Sequence, residues 1–295
     1  MTWGGLDPPK PPGRVARDTG TAAIVTLTTD FGCRDAWVAA MKGVILGIAR
    51  AARETIELVD VTHEVAPHDV LEGALALEAA APFFPPGTVH LAVVDPGVGT
   101  PRRGLAVAAR EQVFIGPDNG LFTPFFDGAA WKAWEVAAPE YRLAAVSRTF
   151  HGRDVFAPAA AHVATGVDPA RLGPRVRDPI RLVWPEARAA RAGVAGVVLH
   201  VDRFGNLVTS IRAEAVAGLP GRSATVSVAG RTMPVVETYG ALGRGKLGAL
   251  AGSSGRLEIA VREGSAARAL RARRGTPVVV SRTRAGSMRP ARGRS

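Results

Sequence analysis

A chain of 295 residues, 47% of them apolar and with Cys33 as its single cysteine, can bury the core of one large domain or two modest ones, but excludes an internal disulfide and any multi-cysteine zinc site. No apolar run approaches the roughly 18 to 20 residues of a membrane span, and residues 1–20 are rich in proline, glycine and charge, so a cytoplasmic protein with no membrane partner is expected. The net charge of +11 would suit a nucleic-acid partner, but Lys10, Lys42, Lys132 and Lys246 are the only lysines beside a large excess of arginine, alanine and glycine, which reads as the bias of a GC-rich genome; no nucleic-acid partner is expected.

Ala23 to Leu27 is a short apolar run ending at Thr28-Thr29-Asp30-Phe31-Gly32, the pattern of a buried strand entering a loop. Trp37, Val38, Met41, Val44, Ile45 and Ile48 recur at the spacing of one helical face, with Lys42 and Arg50 outside it. Ile56 to Val61 predicts a second strand, and Asp69 with Glu72 a capping box that opens a helix over Val70 to Ala80. Val89 to Val94 is a third buried strand. Shorter strands follow at Leu105 to Ala108 and Val113 to Ile115, then a turn at Gly116-Pro117-Asp118-Asn119-Gly120 and a helix over Val155 to Ala164. This alternation predicts an α/β fold, a parallel or mixed sheet covered by helices, with functional loops beyond the carboxyl ends of its strands.

From Asp178 to Gly193, prolines and arginines read as an interdomain linker. Val194 to Val201, Leu207 to Ile211, Ala224 to Val228, Leu257 to Val261 and Pro277 to Val280 are then short apolar or alternating segments between glycines, the pattern of a small β-domain. The expected division is a disordered segment 1–20, an α/β catalytic domain 21–185, a β-domain 193–281 and a basic disordered tail 282–295.

The loop Asp95-Pro96-Gly97-Val98-Gly99-Thr100-Pro101-Arg102 leaves the third strand with an acid and a guanidinium seven residues apart, and with two glycines that let a ligand approach the backbone. Such a pair fixes geometry at an active site, and it serves equally as a structural ion pair. Neither the Rossmann nor the Walker spacing is met. His151, in Thr149-Phe150-His151-Gly152-Arg153-Asp154, precedes a helix whose dipole disfavours the imidazolium, which suits a neutral base, a hydrogen-bond partner or a satisfied structural histidine.

His63 and His68 lack the His-x-x-x-His or His-Glu-x-x-His spacing of a metal site, so no catalytic metal is expected. His63 reads as a turn residue at a strand end and Cys33 as a small packed side chain. In the β-domain, Asp202-Arg203-Phe204-Gly205-Asn206 offers an aromatic face, an amide and a carboxylate: equipment for a purine, or a hairpin turn. Ser253-Ser254-Gly255 offers hydrogen bonds to a carboxylate, or another turn.

Thr29-Asp30-Phe31-Gly32 with Asp35, Asp60-Val61-Thr62-His63, Val94 to Arg102, Gly116 to Gly120, Phe150 to Asp154, Asp202 to Asn206 and Ser253 to Ala260 stand in the order of one family. From about Ile24 to about Ala267 the chain resembles the S-adenosylmethionine (SAM) hydroxide adenosyltransferases, or SAM hydrolases, relatives of fluorinating and chlorinating enzymes. The resemblance implies a three-layer α/β N-terminal domain, a smaller β-barrel-like C-terminal domain, and a homotrimer with active sites between neighbouring subunits. It also implies hydrolysis of SAM to adenosine and L-methionine, with no cofactor.

By the same resemblance, Asp95, Arg102 and His151 position and activate water or hydroxide. Asp35 binds the ribose hydroxyls, and His68 falls beside the ribose where relatives carry an aromatic. Phe204 and Asn206 hold adenine with Tyr239 as a neighbour, while Asp202 and Ser253 meet the methionine moiety. In the halogenating branch tyrosines stand in place of Asp95 and His151, making a tighter, less polar halide pocket. Gly252 stands where relatives often have asparagine. A non-catalytic SAM or adenosine sensor would keep Asp35, Phe204 and Asn206 without needing the water-activating trio, which this chain has in full.

Overall fold

The structure, a computed structural model, describes residues 22–127, 130–190, 193–217 and 224–282. The segment 1–20 and residues 283–295, both read above as disordered, lie outside the described residues, whereas Arg282 is the last residue of a strand. The chain divides after Leu182 into two units.

In the first unit, β1 (Ala23–Thr29), β2 (Ile56–Thr62), β3 (Val89–Val93), β4 (Gly104–Ala109), β5 (Gln112–Pro117), β6 (Lys132–Glu135) and β7 (Arg175–Val176) form one sheet in the order β2-β1-β3-β5-β4-β6-β7. β1 pairs in parallel with β2 and with β3, β3 pairs in parallel with β5, and the other pairs are antiparallel. Parallel neighbours need a crossover, which α1 (Trp37–Ala51) and α2 (Val70–Ala80) supply. α1 leads from β1 out to β2, and α2 leads from β2 back past β1 to β3. The chain therefore reverses its direction across the sheet between β1 and β3, the switch point at which such sheets open a crevice beyond their strand ends.

α1 forms because Val38, Met41, Ile45 and Ala49 recur on one face, and all four are buried. Met41, Ile45 and Ala49 pack with Val25, Leu27, Val89, Leu91 and Val93 of the sheet and with α3 (Ala157–Ala164), an alanine-rich helix buried at every position except His162. Successive strand residues face opposite sides, so Val94 turns away from this cluster. There it meets α2: a Cβ added at Gly73 would stand 2.9 Å from Val94 and 3.0 Å from Leu121. The sheet is thus covered on both faces, the three-layer arrangement expected. α2 opens at Asp69, whose Oδ1 accepts from the Glu72 N–H at 3.0 Å, while the Glu72 carboxylate accepts from Ala66 N at 3.3 Å. On this face His90 is fully buried, stacked on Phe114 and 2.8 Å from the Thr26 hydroxyl; burial pushes its pKa down to about 4.

In the second unit every ladder between strands is antiparallel. β8 (Arg188–Ala190), β9 (Gly193–Val201), β10 (Leu207–Arg212), β11 (Ala224–Val228), β12 (Arg231–Pro234), β13 (Leu247–Ala251), β14 (Arg256–Val261) and β15 (Pro277–Arg282) form a sheet in the order β12-β11-β15-β9-β10-β14-β13, with β8 also on β9. Its two outer strands approach each other: Val235, just after β12, bridges Ala249 of β13, and Val236 N donates to the Ala249 carbonyl at 2.7 Å. The sheet curls into a nearly closed barrel around Val198, Leu207, Ile211, Val226, Met233, Leu257, Ile259 and Val278. Short helices α4 (Ala213–Ala217) and α5 (Ala266–Leu270) follow β10 and β14, and the Ser265 side chain caps α5 by accepting from Arg268 N. β8 lies inside the stretch read as linker. Among the described residues, no helix is long and apolar enough to cross a membrane.

Candidate active site

The loop that leaves β3 is ordered by its own turns, with Val98 N donating to the Asp95 carbonyl at 3.3 Å and Thr100 N to the Gly97 carbonyl at 3.1 Å. Arg102 folds back on its first residue. Its Nε stands 3.0 Å and 3.1 Å from the two Asp95 oxygens, its Nη2 donates to Oδ2 as well, and the guanidinium lies 5.0 Å from the Phe156 ring centroid. Both side chains are nearly buried, 11% exposed for Arg102 and 5% for Asp95.

The same Nη2 is 2.9 Å from His151 Nδ1. Arginine carries donors only, so Nδ1 accepts, and the neutral ring holds its proton on Nε2. Burial first, and the Arg102 charge second, hold the His151 pKa below its ordinary value. The lone pair a base would use through Nδ1 is committed to Arg102; of the roles open in the sequence, this geometry fits the neutral hydrogen-bond partner.

Asp95 and His151 line a cleft of about 320 Å³, at the low end of the range for small-molecule sites. Asp30, Phe31, Trp37, Pro67, His68 and Phe150 line it with them, and Arg102 stands behind the pair, gripping both. Phe31, Trp37 and Phe150 pack edge to face, with centroids 5.8 Å and 5.1 Å from Phe150. These lining residues come from the loops after β1 and β3, at the switch point, from the first residue of α1, and from the segments leading into α2 and α3. His68 has a φ of +69°, unusual for a residue with a side chain, and its N–H donates to Asp30 Oδ2 at 2.9 Å.

Neighbouring networks hold these loops. His63 is buried between the Thr29 hydroxyl and Asp60, each 2.9 Å away, and Lys42 closes the other Asp60 oxygen at 2.6 Å, so the ends of β1 and β2 are tied together. In the turn after β5, Asn119 Nδ2 donates to the Val94 carbonyl at 2.8 Å, directly before Asp95. Beside it Arg103 grips the buried Asp118 at 2.7 Å and also reaches Asp178.

Asp35 is exposed and is not among the residues that line this cleft, whereas Asp30, five residues earlier, lines it. Cys33 is exposed rather than packed, because it sits in the open loop between β1 and α1. Among the described residues, no group of three or more His, Cys, Asp or Glu is arranged to hold a metal ion.

In the second unit Asp202 orders the turn after β9. Its Oδ1 accepts from Phe204 N at 2.9 Å and Asn206 N at 2.8 Å, and its Oδ2 from Asn206 Nδ2 at 2.9 Å. Asn206 is buried while Phe204 is 77% exposed, an aromatic face held out by a rigid turn. Tyr239, partly exposed, donates its hydroxyl to Glu258 Oε1. Glu258, buried in β14, was not foreseen. Burial pushes its carboxyl up and nearby Asp202 adds to the rise, against the hydrogen bond from Tyr239. A Cβ at Gly252 would stand 2.8 Å from Glu258 Oε2, so an asparagine there would press on this carboxyl. Ser253 is exposed in the turn between β13 and β14.

A mixed sheet with a carboxylate, a guanidinium and an imidazole at its switch point, followed by a nearly closed barrel with an outward aromatic, defines a two-domain protein of α/β plus β-barrel class. The chain belongs to the SAM hydroxide adenosyltransferase family: the model of that family's N-terminal domain matches residues 25–173, and that of its C-terminal domain residues 196–279. It is 42% identical over 267 residues to the (R)-S-adenosyl-L-methionine hydrolase of Thermus thermophilus, which spans 86% of this chain and 98% of that protein. The protein of the same name from Salinispora tropica is 40% identical over 251 residues, 82% of this chain and 92% of its own. A fluorinase from Actinopolyspora mzabensis is 31% identical over 222 residues, 66% and 73% of the respective chains. Among solved structures, an uncharacterized conserved protein from Thermotoga maritima has a TM-score of 0.80 at 34% identity, covering 87% of this chain and 99% of that one.

Proposed function

We propose that this protein is an enzyme that hydrolyses S-adenosyl-L-methionine, by attack of water or hydroxide at the ribose C5′, giving adenosine and L-methionine. The observation that carries the reading is the Asp95–Arg102–His151 cluster at a switch-point cleft, in a chain 42% identical to a SAM hydrolase. The electrophile is a sulfonium, so its leaving group is a neutral thioether that needs neither a proton nor a Lewis acid. Hydroxide and sulfonium bring opposite charges together, and charge disperses at the transition state. A cleft walled by Phe31, Trp37 and Phe150 favours that change by keeping bulk water out.

The remaining demand is alignment of oxygen, carbon and sulfur, which contributes roughly 7 to 11 kcal/mol at best. In this reading Asp95 and the Nε2–H of His151 hold the nucleophile from the cleft wall, and Arg102 fixes both while its charge favours hydroxide over water. His68 sits beside the ribose. The barrel carries the rest of the substrate: Phe204 stacks on adenine, with Asn206 and Tyr239 at its edge, and Asp202 and Ser253 meet the methionine moiety. Phe204, exposed in the single chain, supports a homotrimer in which one subunit's barrel completes a neighbour's cleft. Asp35, exposed in the loop before α1, keeps a ribose contact only through that assembly.

The relatives' names specify the (R) configuration at sulfur. The test offers the purified protein each sulfonium epimer, with and without chelator and halide. Adenosine and methionine from the (R) epimer, indifferent to both additions, are expected; a 5′-halogenated nucleoside, or no turnover of either epimer, would contradict the reading.

A further inference from the structure

The segment from Leu143 to Phe150 lines the cleft at its end, through Thr149 and Phe150, and runs directly into His151, yet it contains neither helix nor strand. Its order comes from one residue beyond it, Asp154. In a regular α-helix the N–H of residue 158 would bond the carbonyl of residue 154, but Pro158 has no N–H. The chain instead makes a π turn over Gly152–Phe156 before α3 begins. The Asp154 carbonyl left free accepts from Leu143 N at 2.9 Å, at the start of the wall.

The Asp154 side chain holds the middle, its Oδ2 accepting from Ser147 N at 2.9 Å, and Ser147 Oγ passes the order on by accepting from Phe150 N at 3.0 Å. Arg153 closes the carboxylate, with Nε 2.5 Å from Oδ1 and Nη2 3.0 Å from Oδ2, and its guanidinium lies 5.1 Å from the Phe150 ring centroid. The wall also touches the catalytic loop: a Cβ on Gly99, whose φ is +80°, would stand 2.7 Å from the Arg148 carbonyl.

We propose that Asp154 is a positioning residue for the reaction: fully buried, it staples the Leu143–Phe150 wall at two points and thereby sets His151 against Arg102 and the wall against the loop from Asp95 to Arg102. This rests on the assignment of His151 to the reaction. Asp154 acts on His151 through charge as well as through shape. Arg102 and Arg142 disfavour protonation of the imidazole, whereas Asp95 and Asp154 favour it. Removing the Asp154 charge therefore leaves the positive neighbours less opposed, and the imidazole protonates only at a lower pH.

Three variants separate the outcomes in steady-state pH profiles with SAM. Asp154→Asn keeps an acceptor for Ser147 but loses the charge, and is expected to lower kcat about ten- to a hundredfold with a smaller change in KM, as a misplaced group would. Its acid limb should move to lower pH, a shift that partial misfolding would not produce. Leu143→Pro removes the N–H that meets the Asp154 carbonyl, together with a part-buried leucine side chain, and Arg142 already has the extended backbone that precedes proline, φ −121° and ψ 167°. It should lower kcat without moving the limb. Wild-type kcat and profile in Asp154→Asn, or wild-type kcat in Leu143→Pro where Asp154→Asn fails to fold, would overturn the inference alone. Full activity in His151→Gln would remove His151 from the reaction, and the inference with it.

Discussion

Replacing Arg102 by lysine is expected to lower kcat for SAM cleavage roughly a hundred- to a thousandfold, the loss typical of removing one preorganised donor that stabilises developing charge. The charge survives the substitution; the fork does not. Arg102 meets both oxygens of Asp95 through Nε, shares Nη2 between Asp95 and His151, and stacks on Phe156. A lysine ammonium is a point charge on a flexible stem and cannot span carboxylate and imidazole in one plane. KM should change little, because the proposed function places the adenine and methionine contacts elsewhere. Lysine tests this better than alanine, which would leave the nearly buried Asp95 without its partner and confound the rate with a stability loss. Kinetics beside a thermal melt check the point, and a kcat near that of the parent would show that charge alone suffices.

Asp95→Asn is the second large effect, expected to lower kcat by roughly a hundred- to ten-thousandfold, the range of a lost proton-handling or water-orienting group. Size and shape are preserved, so the cleft stays the same. What is lost is the negative charge that holds the Arg102 fork and faces the cleft beside His151. An asparagine presents one acceptor and one NH₂, and the latter repels the guanidinium donors it meets. The measurement is kcat with KM at several pH values. Unchanged turnover would reduce Asp95 to an anchor for the loop.

The α/β half was legible because its signals are local. The face of α1, the Asp69 cap of α2 and the largely apolar, buried runs of β1 and β3 each specify an element without reference to the rest of the chain. The elements not foreseen depend on partners. β6 reads Lys-Ala-Trp-Glu and becomes a strand by lying between β4 and β7; β8 reads Arg-Ala-Ala and does so by pairing with β9. β12 and β13 meet only through closure of the barrel, at the bridge between Val235 and Ala249, which neither strand's own pattern records.

The site divides in the same way. Asp95, Arg102 and His151 were visible as residues, but the geometry that puts one arginine nitrogen on both partners was not. Glu258 was missed because alternation in Arg-Leu-Glu-Ile-Ala-Val suggests an outward side chain, whereas five of these six residues are buried in the curled sheet. Asp154 was hidden for a related reason: its importance lies in a carbonyl freed by Pro158, which no motif of side chains records.

The account turns on which atom water attacks, and hydrolysis of SAM in H₂¹⁸O reads that directly. Mass spectrometry of the products should find the label in the 5′-hydroxyl of adenosine and none in the methionine released with it. Unlabelled adenosine, or methylthioadenosine in its place, would contradict attack of solvent at C5′.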